Sequence, residues 1–209
     1  NAMKTANPSV IIHMAAQPLV RESYSSPIET FKTNVIGTAN VLEAARYTEN
    51  VKAIINVTTD KCYENLEQIS PYQENDRLGG YDPYSSSKAC AELVSTAYRK
   101  SFFNKCGINL ATVRGGNVIG GGDWARDRLI PDFFRALNAG KSLQIRSPNA
   151  IRPWQHVLEP ISGYLMLAEK LVIDGNNYAE AWNFGPDESK ARSVSQIIKH
   201  LSSSFKGSS

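Results

Sequence analysis

Cysteine is scarce in this sequence. Its three cysteines, Cys62, Cys90 and Cys106, are far apart, and no C-x-x-C pair occurs. An odd number of scattered cysteines argues against a disulfide framework and against a zinc site, and it is typical of a protein in a reducing compartment. We therefore expect a cytoplasmic protein without a metal site.

Long apolar runs and a strong net charge are also missing. No apolar run reaches the length of a bilayer crossing, so we expect no membrane partner. The net charge is +3, and the lysines and arginines are scattered, so the sequence does not indicate a nucleic-acid partner. A site for a phosphorylated small molecule is compatible with this mild positive charge.

A third absence concerns the arrangement of glycine. A Rossmann sheet binds the pyrophosphate of a dinucleotide on a G-x-G-x-x-G turn after its first strand, with an acidic residue about 20 positions later. Neither feature follows the first predicted strand here, and the glycine-dense stretch 115–122 follows a late strand instead. The sequence therefore lacks the usual turn for a dinucleotide pyrophosphate.

Short apolar runs and amphipathic segments alternate along the chain, which is typical of βαβ units and a parallel sheet. Helices are predicted from Ser26, from Asp82 to about Asn104, and over 128–138, 158–172 and 193–204. Strands are predicted over residues 9–16, 53–57, 109–113, 143–145, 154–156 and 181–184. The fold class is thus α/β, with a parallel sheet in residues 7–115 and a smaller mixed α/β lobe in 116–205.

Three helix starts carry capping signals. Asp82 precedes a proline, as an N-cap residue does. Ser26 with Glu29, and Ser193 with Gln196, have the spacing of a capping box, in which the two side chains satisfy each other's backbone N–H groups.

Polar or small residues follow three of the predicted strands, in the stretches 13–17, 58–61 and 114–117. Ligands of open parallel sheets bind beyond the carboxyl ends of the strands. The stretch Thr58-Thr59-Asp60-Lys61 therefore places two hydroxyls, an acid and an amine in a predicted active site.

Tyr84 and Lys88 are four residues apart on a predicted helix, so they share one face. A lysine ammonium near a phenol lowers the phenol pKa and makes the tyrosine a usable base. With the Thr59 hydroxyl holding a substrate alcohol, such a pair would remove a proton while hydride leaves carbon. The pattern Y-x-x-x-K alone is common on helix surfaces. The threonine at the end of the preceding strand favours a functional interpretation of the pattern here.

These motifs resemble the extended short-chain dehydrogenase/reductase superfamily. The residues that carry the resemblance are H-x-A-A from His13, T-N-V-x-G-T from Thr33, T-T-D-K-C-Y from Thr58 and Y-S-S-S-K from Tyr84. Within the superfamily, TTDKCYEN, GNVIGGGDWARDRLIPD and IRPWQHVLEPISGYLMLAE resemble the CDP-glucose 4,6-dehydratases, and the likeness extends from about Asn7 to about Leu201.

The resemblance implies an NAD-dependent lyase that converts CDP-glucose to CDP-4-keto-6-deoxyglucose. It does so by oxidation at C4, elimination of water across C5 and C6, and return of hydride to C6. The products of this class are precursors of dideoxy sugars in bacterial surface polysaccharides.

The resemblance also assigns roles to individual residues. Thr59, Tyr84 and Lys88 match the dehydrogenating core, and Asp60 matches the acid that protonates the leaving hydroxyl. The positions expected beside NAD are Ala15, Ala16, Asn34, Thr58, Tyr84 and Lys88.

Lys61 stands where the dTDP-glucose branch has a glutamate that removes the C5 proton. A neutral lysine serves as that base only if burial or positive neighbours depress its pKa. Alternatively, Lys61 stays charged and stabilises the enolate. The sequence leaves both roles open.

Asn117, Arg128 and Arg152 are the residues expected to contact the sugar nucleotide. Asn117 matches the loop that meets the diphosphate, and a guanidinium fork suits phosphate. For Arg128, a role in capping or solvating a helix is an equally good interpretation.

The first predicted strand resembles the fourth strand of the superfamily. Roughly a hundred residues, equivalent to three βα units, would then precede it in a relative. We therefore expect a fragment of a dehydratase that carries its catalytic and substrate half and has negligible turnover by itself. Two alternatives are a non-catalytic remnant and a nucleotide-sugar 4-epimerase, although an epimerase has no water to eliminate. An open sheet edge also leads us to expect a homo-oligomer.

Overall fold

The computed structural model describes residues 1–66, 70–187 and 191–205. Strands in these ranges are β1 Val10–His13, β2 Ala53–Val57, β3 Asn109–Gly115, β4 Asn117–Ile119, β5 Ile151–Arg152, β6 Trp154–His156, β7 Ala181–Phe184 and β8 Arg192–Ser193. The main sheet has the order β1-β2-β3-β7, and each neighbouring pair is parallel. The α/β class with a parallel sheet is confirmed.

The α-helices in the same ranges are α1 Ala2–Ala6, α2 Val20–Ser25, α3 Pro27–Phe31, α4 Gly37–Arg46, α5 Pro83–Tyr98, α6 Asn104–Cys106, α7 Leu129–Asn138, α8 Leu158–Ile173 and α9 Val194–Phe205. π-Helical segments join α3 to α4 over Lys32–Ile36 and α5 to α6 over Arg99–Phe103. Within the described part of the chain, no helix is both long and apolar enough for a bilayer crossing.

The two faces of the main sheet bury alternate residues of the same strands, as a period of two requires. Ile54 of β2 packs with Leu42 of α4 and with Phe103 on one face. Ile55 packs on the other face with Leu167 and its neighbours on α8. Burial on both faces explains why β2 is an almost continuous apolar run in the sequence.

Two of the three predicted helix caps are present in the structure. Asp82 caps α5 by accepting a hydrogen bond from the Ser85 N–H. Ser193 and Gln196 form the predicted reciprocal capping box at distances of 2.8 and 3.2 Å.

The capping box at Ser26 is wrong. A short helix, α2, ends at Ser25, so the Ser26 hydroxyl donates backwards to Glu22 rather than accepting from the next helix. The strand predicted over residues 143–145 is also wrong, because this segment is irregular and has no strand partner among the described residues.

The chain divides into two compact units. The first comprises Asn1–Gly115 and Ile161–Phe184, and the second comprises Gly116–Pro160 and Gly185–Ser209. The expected division into 7–115 and 116–205 differs from these units in the segment 161–184, because β7 pairs with β3 and most of α8 packs against the main sheet.

Candidate active site

The polar stretch after β2 forms a tight turn. The Thr58 N–H donates to the Val113 carbonyl at 2.8 Å, so β2 is still tied to β3 at this residue. Thr59 is extended, and its hydroxyl caps a single 3₁₀ turn over Asp60–Cys62 by accepting from the Lys61 N–H at 3.4 Å. The side chains of residues 58–61 are thereby presented at the carboxyl end of the sheet, where ligands bind in this class of fold.

Helix α5 brings Tyr84 and Lys88 to the same place. Both side chains are buried, and they lie one turn apart on the helix. The Lys88 ammonium donates to the Val57 carbonyl at 3.0 Å, one residue before Thr58. The structure therefore joins the Y-x-x-x-K helix to the strand end that carries the threonines.

Lys88 is the titratable group at the centre of this arrangement. Burial lowers its pKa to about 8, while the carboxylate of Glu92 favours the ammonium and opposes that shift. Burial, and then the charge of Lys88, lower the pKa of His13 from its ordinary value. A lysine whose pKa lies near neutrality changes its charge more readily than an exposed one.

Asp60 and Lys61 form an exposed acid–amine pair. Their charged atoms are 3.6 Å apart, and the two side chains are 34% and 44% exposed, respectively. Asp60 also accepts a hydrogen bond from the Thr59 hydroxyl at 3.1 Å. The pair is accessible to a ligand and stands directly beside the predicted alcohol-binding threonine.

Asn34 lies in the π-helical segment between α3 and α4, a local geometry that is frequent at functional sites. Its amide exchanges two hydrogen bonds with the backbone of Gln17, at 2.8 and 3.1 Å, and donates to the Ser87 hydroxyl at 2.8 Å. Asn34 thus ties the segment after β1, which contains Ala15 and Ala16, to the helix of Lys88. Ala15 is exposed and Ala16 is half-buried.

The three predicted substrate residues lie in the second unit. Asn117 begins β4, and its buried side-chain oxygen has no hydrogen-bond partner within the described ranges. Arg128 occupies the N-cap position of α7 and pairs with Asp123 at 2.7 Å. Arg152 is exposed on β5.

The sequence reasoning missed a buried polar group that adjoins the site. Glu92 follows Lys88 by one helical turn and receives hydrogen bonds from Thr58, Thr112 and Arg114. The spacing Y-x-x-x-K-x-x-x-E, which puts an acid on the face of Tyr84 and Lys88, was the available signal in the sequence.

Comparison with protein families gives a match over most of the chain. Residues 1–185 match the NAD dependent epimerase/dehydratase family. The chain is 53% identical over 206 residues to the CDP-glucose 4,6-dehydratase of Salmonella typhimurium, a match that covers 96% of this chain and 57% of that protein.

Solved structures show the same fold. The dTDP-glucose 4,6-dehydratase DesIV of Streptomyces venezuelae, solved with NAD bound, aligns with a TM-score of 0.83 at 25% identity, over 99% of this chain and 59% of that one. The UDP-glucose 4-epimerase of Thermotoga maritima aligns with a TM-score of 0.83 at 22% identity, over 100% of this chain and 64% of that one. The chain thus spans less than two thirds of the length of each of these proteins.

Proposed function

The chain belongs to the NAD dependent epimerase/dehydratase family, and from this premise we propose that it carries the catalytic residues of a CDP-glucose 4,6-dehydratase. The observation that supports this most directly is the bond from Lys88 to the Val57 carbonyl. It sets the Y-x-x-x-K helix against a turn that holds an alcohol-binding threonine and an acid–amine pair. The identity of 53% to the Salmonella enzyme supports the choice of CDP-glucose.

In this function Tyr84 accepts the proton of the sugar C4 hydroxyl, and Thr59 holds that hydroxyl. Lys88 lies one turn beyond Tyr84, and its positive charge favours the phenolate. Although burial lowers the pKa of Lys88 to about 8, the ammonium is still the main form at neutral pH and gives this support.

The residues around Lys88 fit the reactive end of NAD. An ammonium has three N–H donors, and in the described part of the chain the hydrogen bond of Lys88 goes to Val57, which leaves donors for ribose hydroxyls. Asn34, Thr58 and the segment with Ala15 and Ala16 surround the same end of the sheet. When bound, NAD supplies the hydride acceptor for C4 and the hydride donor for C6.

The exposed pair of Asp60 and Lys61 carries out the elimination of water. Asp60 delivers a proton to the departing C6 hydroxyl. Lys61 is half-exposed and ion-paired with Asp60, so we assign it the role of a charged group that stabilises the enolate rather than that of a buried neutral base. The C5 proton passes to the Asp60 carboxylate, which then returns it to the departing C6 hydroxyl, so one carboxyl group serves as base and then as acid. The Lys61 ammonium stabilises the enolate that forms between these two proton transfers.

Asn117, Arg128 and Arg152 are the residues that we propose to contact the sugar nucleotide. The unpartnered, buried oxygen of Asn117 suits a donor on the substrate. Arg128 and Arg152 are the cations for the diphosphate, although Arg128 must share its charge with Asp123. We further propose a cytoplasmic setting and dideoxy-sugar synthesis for polysaccharides, in line with the implied product.

Two measurements test the function. Calorimetry of the purified chain should detect CDP-glucose binding, and the absence of binding would count against the proposal.

Catalysis itself is tested in a chimera, namely the Salmonella dehydratase with its matching segment replaced by this chain. We expect the chimera to form the 4-keto-6-deoxy product from CDP-glucose. A folded chimera that binds NAD but leaves CDP-glucose intact would contradict the proposal, and one that epimerises C4 without losing water would replace it with the epimerase alternative.

A further inference from the structure

Glu92 is a deeply buried acid on the helix of Tyr84 and Lys88, with 1% of its surface exposed. One carboxylate oxygen accepts a hydrogen bond from the Thr58 hydroxyl. The other accepts from the Thr112 hydroxyl at 2.7 Å and from the Arg114 guanidinium at 2.9 Å. A buried carboxylate is stable only with such partners, so its position is strongly specified.

Arg114 extends this network to the far side of the turn. Its guanidinium donates to the Tyr63 hydroxyl at 2.8 Å and to the Glu74 carbonyl at 2.9 Å, and it lies over the Tyr63 ring at 4.9 Å. The Tyr63 hydroxyl in turn donates to Asn183 of β7 at 2.6 Å. Tyr63 is therefore held from both β3 and β7.

Thr58 and Tyr63 flank the turn 59–62, which bears the candidate acid. One flank is fixed by Glu92 directly, and the other is fixed by Arg114, which pairs with Glu92. Glu92 itself projects from α5, the helix of Tyr84 and Lys88. One buried ion pair thus connects both ends of the turn to the helix.

We propose that Glu92 is a positioning residue, which with Arg114 clamps the turn 59–62 at both ends and so sets Thr59 and Asp60 against Tyr84 and Lys88. This inference rests on the proposed dehydratase function. Its physical basis is that proton and hydride transfers need their groups held within a fraction of an ångström, and a buried network of hydrogen bonds provides that rigidity. Glu92 touches neither substrate nor cofactor in this role.

A purely structural role for Glu92 makes a different prediction. If the carboxylate merely joins α5 to the sheet, its two threonine partners are equivalent, and loss of either should have the same consequence. If it clamps the turn, loss of the Thr58 hydroxyl should loosen residues 59–62, whereas loss of the Thr112 hydroxyl, which lies inside β3, should not.

The matched substitutions are Thr58→Val and Thr112→Val in the full chain. Each variant removes one threonine hydroxyl that donates a hydrogen bond to Glu92, and it leaves the ion pair between Glu92 and Arg114 in place. Amide hydrogen exchange of Lys61 and Cys62 is measured by NMR. We expect exchange about tenfold faster in Thr58→Val and within about twofold of the parent in Thr112→Val, since one hydrogen bond changes local opening by this order.

Unchanged exchange in Thr58→Val, or equal acceleration in both variants, would overturn the inference. Should Thr58→Val fail to fold by circular dichroism, Tyr63→Phe decides, because it removes the oxygen that links the other flank to Arg114. The same acceleration at Lys61 and Cys62 is then expected, and its absence counts against the clamp.

Kinetic measurements distinguish a failure of this inference from a failure of the proposed function on which it rests. In the chimera, Thr58→Val should lower kcat by roughly tenfold or more, with KM for CDP-glucose within about twofold, because misplaced groups slow chemistry more than binding. An inactive parent chimera refutes the function. An active parent with full kcat in Thr58→Val refutes the positioning role.

Discussion

Lys88 couples the charge of the site to the stability of the protein. Burial lowers its pKa from 10.5 to about 8 in the folded state. Between these two values the unfolded chain binds more protons than the folded one, so the free energy of unfolding rises with pH in this window. Below pH 8 the lysine is charged in both states, and its burial costs stability.

The corresponding prediction compares the parent with Lys88→Met. From below pH 8 to above pH 10.5, the free energy of unfolding of the parent should gain about 3 kcal/mol relative to the variant, as a shift of this size implies. Urea unfolding across this range measures the difference. Lys32→Met, at an exposed lysine paired with Glu29, is the control and should show no such trend.

Asp60 offers a second test at the level of a single residue. Asp60→Asn keeps the shape and the hydrogen bond from Thr59 but cannot donate a proton as an acid does. Elimination should slow by roughly a hundredfold or more, the usual contribution of a general acid, while oxidation at C4 changes much less. Reduced cofactor should then accumulate in single-turnover experiments on the chimera.

The exposed Asp174, in the loop after α8, provides the matched control through Asp174→Asn. This variant should keep both rates at the parent level. Equal losses of oxidation and elimination in Asp60→Asn would contradict the assignment of Asp60 as the acid.

The sequence predicts the position of a site residue when its partners lie in the same helix or turn, and it does not when they come from other strands. The turn 58–61 and the Tyr84–Lys88 face follow from local pattern, and Lys88 donates to the Val57 carbonyl, one residue before that turn. The hydrogen-bond partners of Glu92 cannot be predicted from local sequence pattern. They come from the end of β2 and from β3, and only strand pairing shows that their side chains converge.

At the level of elements, Asp82 caps the start of α5, the helix that carries Tyr84 and Lys88. It accepts from the Ser85 N–H at 2.9 Å and from the Ser85 hydroxyl at 2.6 Å. Asp82→Ala should therefore lower the free energy of unfolding by about 1 kcal/mol, the usual value of an N-cap. Chemical denaturation measures this loss.

Ser26→Ala is the control for that prediction. Ser26 precedes α3 but makes no side-chain capping bond to it, so we expect a change of less than about 0.5 kcal/mol. A larger effect at Ser26 than at Asp82 would show that the observed cap geometry does not determine helix stability here.

The two predicted capping boxes show why element boundaries are only partly readable from the sequence. Ser193 and Gln196 interact locally, and their reciprocal bonds form as predicted. At Ser26 a preceding helix, α2, changes the direction of the chain and supplies Glu22 as the partner. The serine and its predicted partner have the same spacing in both cases. The outcomes differ because helix α2 directly precedes Ser26.

At the level of the whole molecule, β1 is an edge strand of the main sheet. Its one strand neighbour within the described ranges is β2. Within the described ranges the backbone groups on its other side have no strand partner, and such an edge can pair with a strand of another chain. This is the physical basis for the homo-oligomer that we propose.

We therefore expect this chain to associate as its concentration rises, which sedimentation velocity will detect. Met14 is exposed directly after β1, and Met14→Lys adds a charge at the open edge, so it should weaken association. Tyr47→Lys places the same charge at the exposed end of α4 and should leave association unchanged. A monomer at all concentrations, or equal weakening by both variants, would show that the β1 edge is not the contact.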